Sequence, residues 1–386
     1  MKKVLYLSHI PWGWIKQRPH FLAEGMAKDF EVDYYFFQGR SHKASDDYTS
    51  HSIDKDLHLR LYTYWLFPFR WIPILKNLRF LETINWWYMR RQLPSFEEYD
   101  IVWITSPLLY PKIRSSLKKR NTLIYDCMDD MAAFPDVKDN KRKVKTVIEA
   151  ERNILKAKNS IVLCSADYLA KTVSKRAGLN KNIIVVNNAI ELPKEKTALK
   201  IADMPTDVRE KYNTLTGLSN VFMYIGTISE WIDFEKLEKL TKDFPDLNVV
   251  LIGPHGTIQI PNNPQIHALG GINRDYIFAF MEKATALIMP FEVNALIESV
   301  NPVKLYEYIY SGKPSLAPYY SESAKFGDFV GLYKDYDGLK QYTSDVLRGK
   351  YPTKSKESIA DFIKANTWEK RMEQIGSAIK GKVENE

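Results

Sequence analysis

The chain has 386 residues, 45% of them hydrophobic and 26% charged, with 17 Gly and 19 Pro. This excludes a single small module and a disordered or collagen-like chain, and it allows two domains with sizeable cores. Fifty-five Lys and Arg against 47 Asp and Glu leave a net charge of +8, a mild excess whose location matters more than its sum.

Residues 4–8 read as a first strand. Met1-Lys2-Lys3 imitates the start of a signal peptide, but the apolar run is short and meets Pro11-Trp12-Gly13-Trp14 rather than a small-residue cleavage site. Helical apolar spacing follows over 17–27, and further strands are expected at 32–37, 101–104, 122–125, 161–164 and 183–186, with an amphipathic helix over 144–158. Cys127 and Cys164 lie in apolar strand contexts, with no CxxC and no Cys/His cluster at metal-ligand spacing, so a reducing compartment is expected. After Asn187-Asn188-Ala189-Ile190-Glu191 the stretch 192–211 is rich in Lys, Pro and Glu, lacks a strand signal and reads as a linker. Strands then restart at 221–225, 249–252, 266–269, 286–289, 314–317 and 330–333, with helices over 234–243, 276–283 and 303–311, and two more at 355–365 and 367–380. Alternation of this kind favours parallel sheets covered by helices, an α/β chain of two doubly wound halves with a cleft between them. The expected domains are 1–191 and 212–365. No apolar run reaches the roughly 18 residues of a membrane-spanning helix.

The most informative stretch is Asn301-Pro302-Val303-Lys304-Leu305-Tyr306-Glu307-Tyr308-Ile309-Tyr310-Ser311-Gly312-Lys313-Pro314. Pro302 suits a first helical turn and Gly312 a C-terminal cap. A helix entered from a loop offers unpaired N–H groups to an anion such as pyrophosphate, and Lys304 sits in that first turn. Glu307 lies three residues on, on the same face, where a carboxylate can accept two hydrogen bonds from a ribose diol. A surface ion pair on a capped helix is the other reading of the same spacing.

These residues resemble the GT-B glycosyltransferases, specifically the family-4-like bacterial enzymes of cell-surface polysaccharide assembly, of teichuronic acid or capsule type. Their strand-loop-helix reads NPxKxYEYxxxGKP. Further segments share the likeness: residues 8–20 (SHIPWGWIKQRPH), 125–130 (YDCMDD), 224–233 (YIGTISEWID), Met289-Pro290-Phe291 and the helix at Trp368. The resemblance implies the GT-B fold, two facing Rossmann-like domains with a central cleft, and a closing segment 366–386 that returns to the first domain. It implies transfer of a sugar from a nucleotide diphosphate sugar, a UDP-sugar by expectation, to a lipid-linked or polysaccharide acceptor. The glutamate five residues before the glycine binds the donor ribose in that family, and Glu307 holds this place. The loop 270–274, with Ile272 and Arg274, would read the nucleobase through backbone groups, Gly226 and Lys304 would hold the donor phosphates, and Thr227, Asn301 and Val303 would also belong to the donor nucleotide site. Two departures stand out. Eight positions before Glu307 stands Ser299, with Glu298 one place off the family's first glutamate. The usual Arg and Lys after the second domain's first strand are also missing, so Lys304 has to supply the phosphate charge.

Sugar transfer needs the leaving diphosphate neutralised and, for an inverting route, a base beside the acceptor hydroxyl, whereas a retaining route needs none. Asp126, Asp129 and Asp130 follow the strand at 122–125, and the preferred bases are Asp129 and Asp130; helix or turn capping is the alternative role. His9 ends the first strand and is a further candidate, as is His20, though structural histidines are common in such places. Gly13, Trp14, Gln17 and Arg18 would face the acceptor, Arg18 as an anion-binding fork unless merely solvated, and Asn294 the sugar.

Between Tyr62 and Tyr88 stand ten aromatic residues, and Arg60, Arg70, Lys76, Arg79, Arg90 and Arg91 face only Glu82. The segment 60–91 suits the headgroup boundary of an anionic membrane, or equally a helical insertion packed on the first domain. Nucleic acid is not expected, since no RNA-binding pattern accompanies the aromatics. The expected location is the cytoplasm, at the inner face of the membrane. Neither a metal nor another cofactor is called for, because helix termini and lysine can stabilise the diphosphate. Competing readings are a nucleotide-sugar epimerase of the same architecture and a non-catalytic nucleotide-binding partner in a polysaccharide-synthesis complex. A NAD-dependent dehydrogenase is disfavoured because GxGxxG follows neither leading strand.

Overall fold

The structure is a computed structural model that describes residues 1–13, 16–37, 56–66, 79–179, 183–193, 204–256 and 258–383. It divides into two compact units, Met1–Asn187 with Arg371–Glu386, and Asn188–Lys370.

The first unit is built on seven parallel strands: β1 (Lys3–Ser8), β2 (Glu31–Phe37), β3 (Leu59–Tyr64), β4 (Ile101–Ile104), β5 (Thr122–Cys127), β6 (Ser160–Cys164) and β7 (Ile184–Val185), in the order β3-β2-β1-β4-β5-β6-β7. Val4, Leu5, Tyr6 and Leu7 are all buried, as expected of a central parallel strand covered on both faces. Tyr6 stacks between Tyr34 at 5.0 Å and Trp103 at 5.2 Å, which joins the three central strands through one aromatic layer. Strand order reverses between β1 and β4, so the loops after these two strands flank the switch point where doubly wound sheets place their ligands.

The second unit repeats the plan with six parallel strands: β8 (Val221–Ile225), β9 (Asn248–Ile252), β10 (Ile266–Gly270), β11 (Ala286–Ile288), β12 (Ser315–Pro318) and β13 (Gly331–Tyr333), in the order β10-β9-β8-β11-β12-β13. Its switch point lies between β8 and β11.

Three features depart from the reading by sequence. Residues 59–64, counted there into the aromatic insertion from Arg60 onward, form an edge strand paired in register with β2, Val32 opposite Leu59 and Phe37 opposite Tyr64. Only Leu59 and Tyr64 of β3 are buried, so the strand lacks the apolar run that marks its neighbours. Part of the presumed linker is the helix Thr206–Thr214, whose Val208 and Tyr212 enter the core of the second unit. The strand ending near Tyr125 runs on to Cys127, which puts Asp126 inside the sheet. At the C-terminal end, the helix Trp368–Val383 counts with the first unit from Arg371 onward. There Arg371 Nε donates to the Asn187 carbonyl at 3.1 Å.

Candidate functional site

In the second unit, residues 301–314 form a loop, the helix Val303–Ser311 and the turn into β12. No side chain caps the start of this helix, so its first-turn N–H groups and the positive end of its dipole remain suited to an anion. Asn301 fixes the entry. Its Oδ1 accepts from Asn188 N at 3.0 Å and from Tyr306 Oη at 3.1 Å, and its Nδ2 donates to Glu322 Oε2 at 3.3 Å.

The Glu307 side chain is fully buried on this helix between two cations. Lys304 Nζ lies 3.0 Å from Oε2, one helical turn back, and Arg274 Nη1 lies 2.9 Å from Oε1. Arg274 opens the short 3-10 turn after β10, which Asn273 caps, and its Nε reaches Glu191 Oε2 at 3.0 Å. Burial by itself pushes the Glu307 pKa up, but Lys304 and Arg274 outweigh it and hold the carboxyl below its ordinary value. Glu307 is therefore an ionised, buried acceptor. Its Oε1 receives no well-directed hydrogen bond, although Arg274 stands close. The Arg274 ion pair offsets the burial of this oxygen, and a hydroxyl of a bound diol could add a directed hydrogen bond to it.

Gly226, directly after β8, brings backbone against this cluster. A Cβ there would stand 2.6 Å from Tyr224 Oη and 3.3 Å from Lys304 Cε. Gly253 is tighter still, with φ +154° and a notional Cβ 1.9 Å from the Gly226 carbonyl oxygen, so only glycine fits. The Thr227 carbonyl accepts from Tyr224 Oη at 3.0 Å and Trp231 Nε1 at 3.2 Å, which fixes the loop while its side chain stays exposed. Val303 and Ile272 are half-buried. Lys211 Nζ holds the 270–274 loop through the Gly271 carbonyl at 2.9 Å. Asn294 caps the short helix Ala295–Glu298 with Oδ1, and Ser299 is buried with its hydroxyl on the Leu296 carbonyl at 2.6 Å. Gly226, Arg274, Lys304 and Glu307 thus gather at one place, while Asn294 and Asn301 serve as backbone fixtures. Glu191, Asn188, Lys211 and Glu322 were not singled out by sequence, because their partners are distant along the chain.

In the first unit, the loops after β1, β4 and β5 form a pocket of about 240 Å³ whose lining includes His9, Thr105, Tyr125, Met128, Asp129 and Phe134. His9 donates its backbone N–H to Thr105 Oγ1 at 3.0 Å, and its Nδ1 lies 2.7 Å from the same hydroxyl. Its ring is exposed on the pocket side, yet surrounding protein lowers its pKa and favours the neutral imidazole. The three aspartates have separate fates. Asp126 is fully buried and paired with Arg18, whose Nε donates to Oδ1 at 2.9 Å and whose Nη1 donates to the Val186 carbonyl at 2.7 Å. Arg18 is therefore a buried structural fork rather than an exposed anion site, and Asp126 its counter-ion rather than a base. Asp130 caps the turn Met131–Ala133 and takes Arg176 Nη1 at 2.5 Å, in a network that Glu151 completes. Asp129 remains half-buried in the pocket wall, with no hydrogen bond or ion pair to its carboxylate among the described residues. Desolvation is the main cause that pushes its pKa up to about 6; the neighbouring Asp126 and Asp130 add to it and Arg18 opposes it.

His20 is buried, with Nδ1 accepting from Gln17 N at 3.0 Å and Nε2 lying 3.1 Å from the Pro11 carbonyl, so it is structural. Gln17 precedes the helix Arg18–Met26 as its N-cap residue, and Gly13 has φ +85°. Trp14 lies outside the described residues. Among the described residues, no group of three His, Cys, Asp or Glu side chains is placed to hold a metal ion.

No protein-family model matches the chain. It is 27% identical over 263 residues to the Bacillus subtilis protein TuaH, which is named for glycosyl transfer in teichuronic acid biosynthesis. That match covers 65% of this chain and 60% of TuaH, so it spans less than two thirds of the relative's length. Among solved structures, sucrose-phosphate synthase from Thermosynechococcus elongatus superposes with a TM-score of 0.72 at 12% identity, over 100% of both chains. Anabaena HepE in complex with UDP-glucose superposes with a TM-score of 0.66 at 13% identity, over 99% of this chain and 100% of that one. The chain therefore has the GT-B fold of these glycosyltransferases, two Rossmann-like α/β units, with a sequence similar to that of TuaH.

Proposed function

We propose that this protein is a glycosyltransferase that moves a sugar from a nucleotide diphosphate donor, UDP-linked, onto a hydroxyl of a lipid-linked or polysaccharide acceptor. One observation carries the reading. A buried, ionised Glu307 sits between Lys304 and Arg274 with Oε1 short of a well-directed donor, one turn from an uncapped helix N-terminus. Glu307 accepts the ribose diol. Lys304, the first-turn N–H groups and the close backbone at Gly226 hold the diphosphate and stabilise its charge as it leaves. The solved HepE complexes hold UDP and UDP-glucose, which supports the choice of donor.

Acceptor chemistry falls to the pocket of the first unit. The acceptor oxygen attacks the anomeric carbon and forms the new C–O bond. The bond from that carbon to the diphosphate oxygen breaks, and its electron pair leaves with the nucleoside diphosphate. The hydroxyl proton passes to Asp129, whose raised pKa suits a proton acceptor near neutral pH.

We assign a peripheral contact with an anionic membrane to the helix Arg79–Gln92. Ile84, Trp87 and Arg91 recur on one exposed face at i, i+3 and i+7, and Trp87 is 53% exposed. The Arg91 guanidinium lies 3.7 Å from the Trp87 ring centroid, and Gln92 ties the exposed Trp65 alongside by bonds of 2.9 Å to its N–H and carbonyl. An indole beside a guanidinium matches the apolar and anionic layers of a headgroup boundary. Arg70 and Lys76 lie outside the described residues, as does the side chain of Arg79.

The donor assignment is tested by calorimetry with UDP. Glu307→Ala should weaken binding by about tenfold or more, the worth of a charge-assisted pair of hydrogen bonds, and unchanged affinity would remove the ribose role from Glu307.

A further inference from the structure

We infer that the pocket of the first unit selects an uncharged, hydroxylated sugar ring as the part of the acceptor that enters it, and rejects a ring bearing a carboxylate or phosphate. The inference rests on the glycosyltransferase reading and names the acceptor class for that reaction. Size is the first argument. At about 240 Å³ the pocket has room for one small ring.

Lining chemistry is the second. Leu108, Met128 and Phe134 give an apolar wall, while His9, Thr105 and Asp129 offer polar atoms. A pyranose has that same division, a C–H face and a rim of hydroxyls. The neutral His9 imidazole and the Asp129 carboxylate can share hydroxyl hydrogens without a compensating charge on the ligand.

Charge is the third argument and decides the class. Asp129 and Asp136 both line the pocket, and among the described residues no Lys or Arg does. Arg18 is committed to Asp126 at 2.8 Å and to the Val186 carbonyl at 2.7 Å. Arg176 is likewise held by Glu151 and Asp130. The exposed Lys143 donates from Nζ to the backbone carbonyl of the lining residue Asp136 at 2.7 Å. An anionic ring would therefore meet the half-buried Asp129 and the exposed Asp136 with no opposing charge among the described lining residues, and the repulsion is strongest at the partly desolvated Asp129.

The test uses two commercial probes that differ only at C6, methyl β-glucopyranoside and methyl β-glucopyranosiduronate, bound to the full chain near neutral pH in the presence of saturating UDP. Binding is read by saturation-transfer NMR and calorimetry. The neutral glycoside is expected to bind about tenfold or more tightly than the uronate. Asp129→Asn, which preserves shape, should close most of that gap by raising uronate affinity. Equal or tighter binding of the uronate by the wild type overturns the inference, as does a gap that survives both Asp129→Asn and Asp136→Asn. Rejection of both probes also overturns it. UDP binding to the wild type is a separate readout. Its failure in the wild type would count against the donor reading, and the ratio between the two glycosides would still decide the pocket's preference.

Discussion

Asp129 and Glu307 are both carboxylates in covered positions, and their neighbours drive them in opposite directions. Two cations hold Glu307 ionised against its own burial, which fits a permanent hydrogen-bond acceptor. Asp129 meets desolvation without a salt bridge of its own, and its pKa is pushed up to about 6. The consequence for stability has a definite sign. The folded state binds the Asp129 proton more tightly than the unfolded chain does, so this group's contribution is fully present below the ordinary carboxylate pKa and is lost as pH rises through about 6. Asp129→Asn should therefore raise the melting temperature at about pH 7.5 and change it little at about pH 4. A variant equally stabilised at both values, or destabilised at the higher one, would contradict the account of this side chain. If Asp129 takes the acceptor proton, the same substitution should lower turnover by about 100-fold or more, so stability and activity move in opposite directions.

At the scale of elements, the helix Val303–Ser311 was legible to the residue because its punctuation is local: Pro302 before it, and Gly312 in the left-handed region at φ +71° after it. Phe234–Asp243 was legible for the same reason, with Asp233 accepting from Lys236 N as its cap. Strand β3 was hidden because an edge strand buries only part of its length, and its Tyr and Arg residues read as a surface insertion. The helix Arg79–Gln92 bears the membrane assignment, and its prediction belongs here. The chain should float with vesicles that contain anionic phosphatidylglycerol and not with phosphatidylcholine alone, and high salt should release it. Trp87→Ala combined with Arg91→Ala should abolish most of the flotation. Flotation that ignores salt and both substitutions would make this face a structural surface only.

For the whole molecule, the alternation of short apolar strands with amphipathic helices was enough to expect two doubly wound units, because each parallel strand is covered on both faces and shows as a continuous apolar run. The Lys304 and Glu307 pair was also readable, since i and i+3 on one helix are neighbours whatever the tertiary fold. Arg274 was named for the loop it sits in, but its pairing with Glu307 and the backing of Glu191 depend on contacts 33 and 83 residues away along the chain. The sorting of Asp126, Asp129 and Asp130 was equally out of reach, because it turns on where Arg18 and Arg176 arrive in space. Arg18 takes Asp126 and Arg176 takes Asp130, and Asp129, which lines the pocket, has no ion pair among the described residues.

The central claim is that one helical turn in the second unit grips an activated sugar nucleotide. A crystal of the full chain grown with a UDP-sugar tests it most directly. The account predicts the ribose diol on Glu307, with the diphosphate on Lys304 and the first-turn N–H groups of Val303–Ser311. Density for the nucleotide away from both side chains would contradict it.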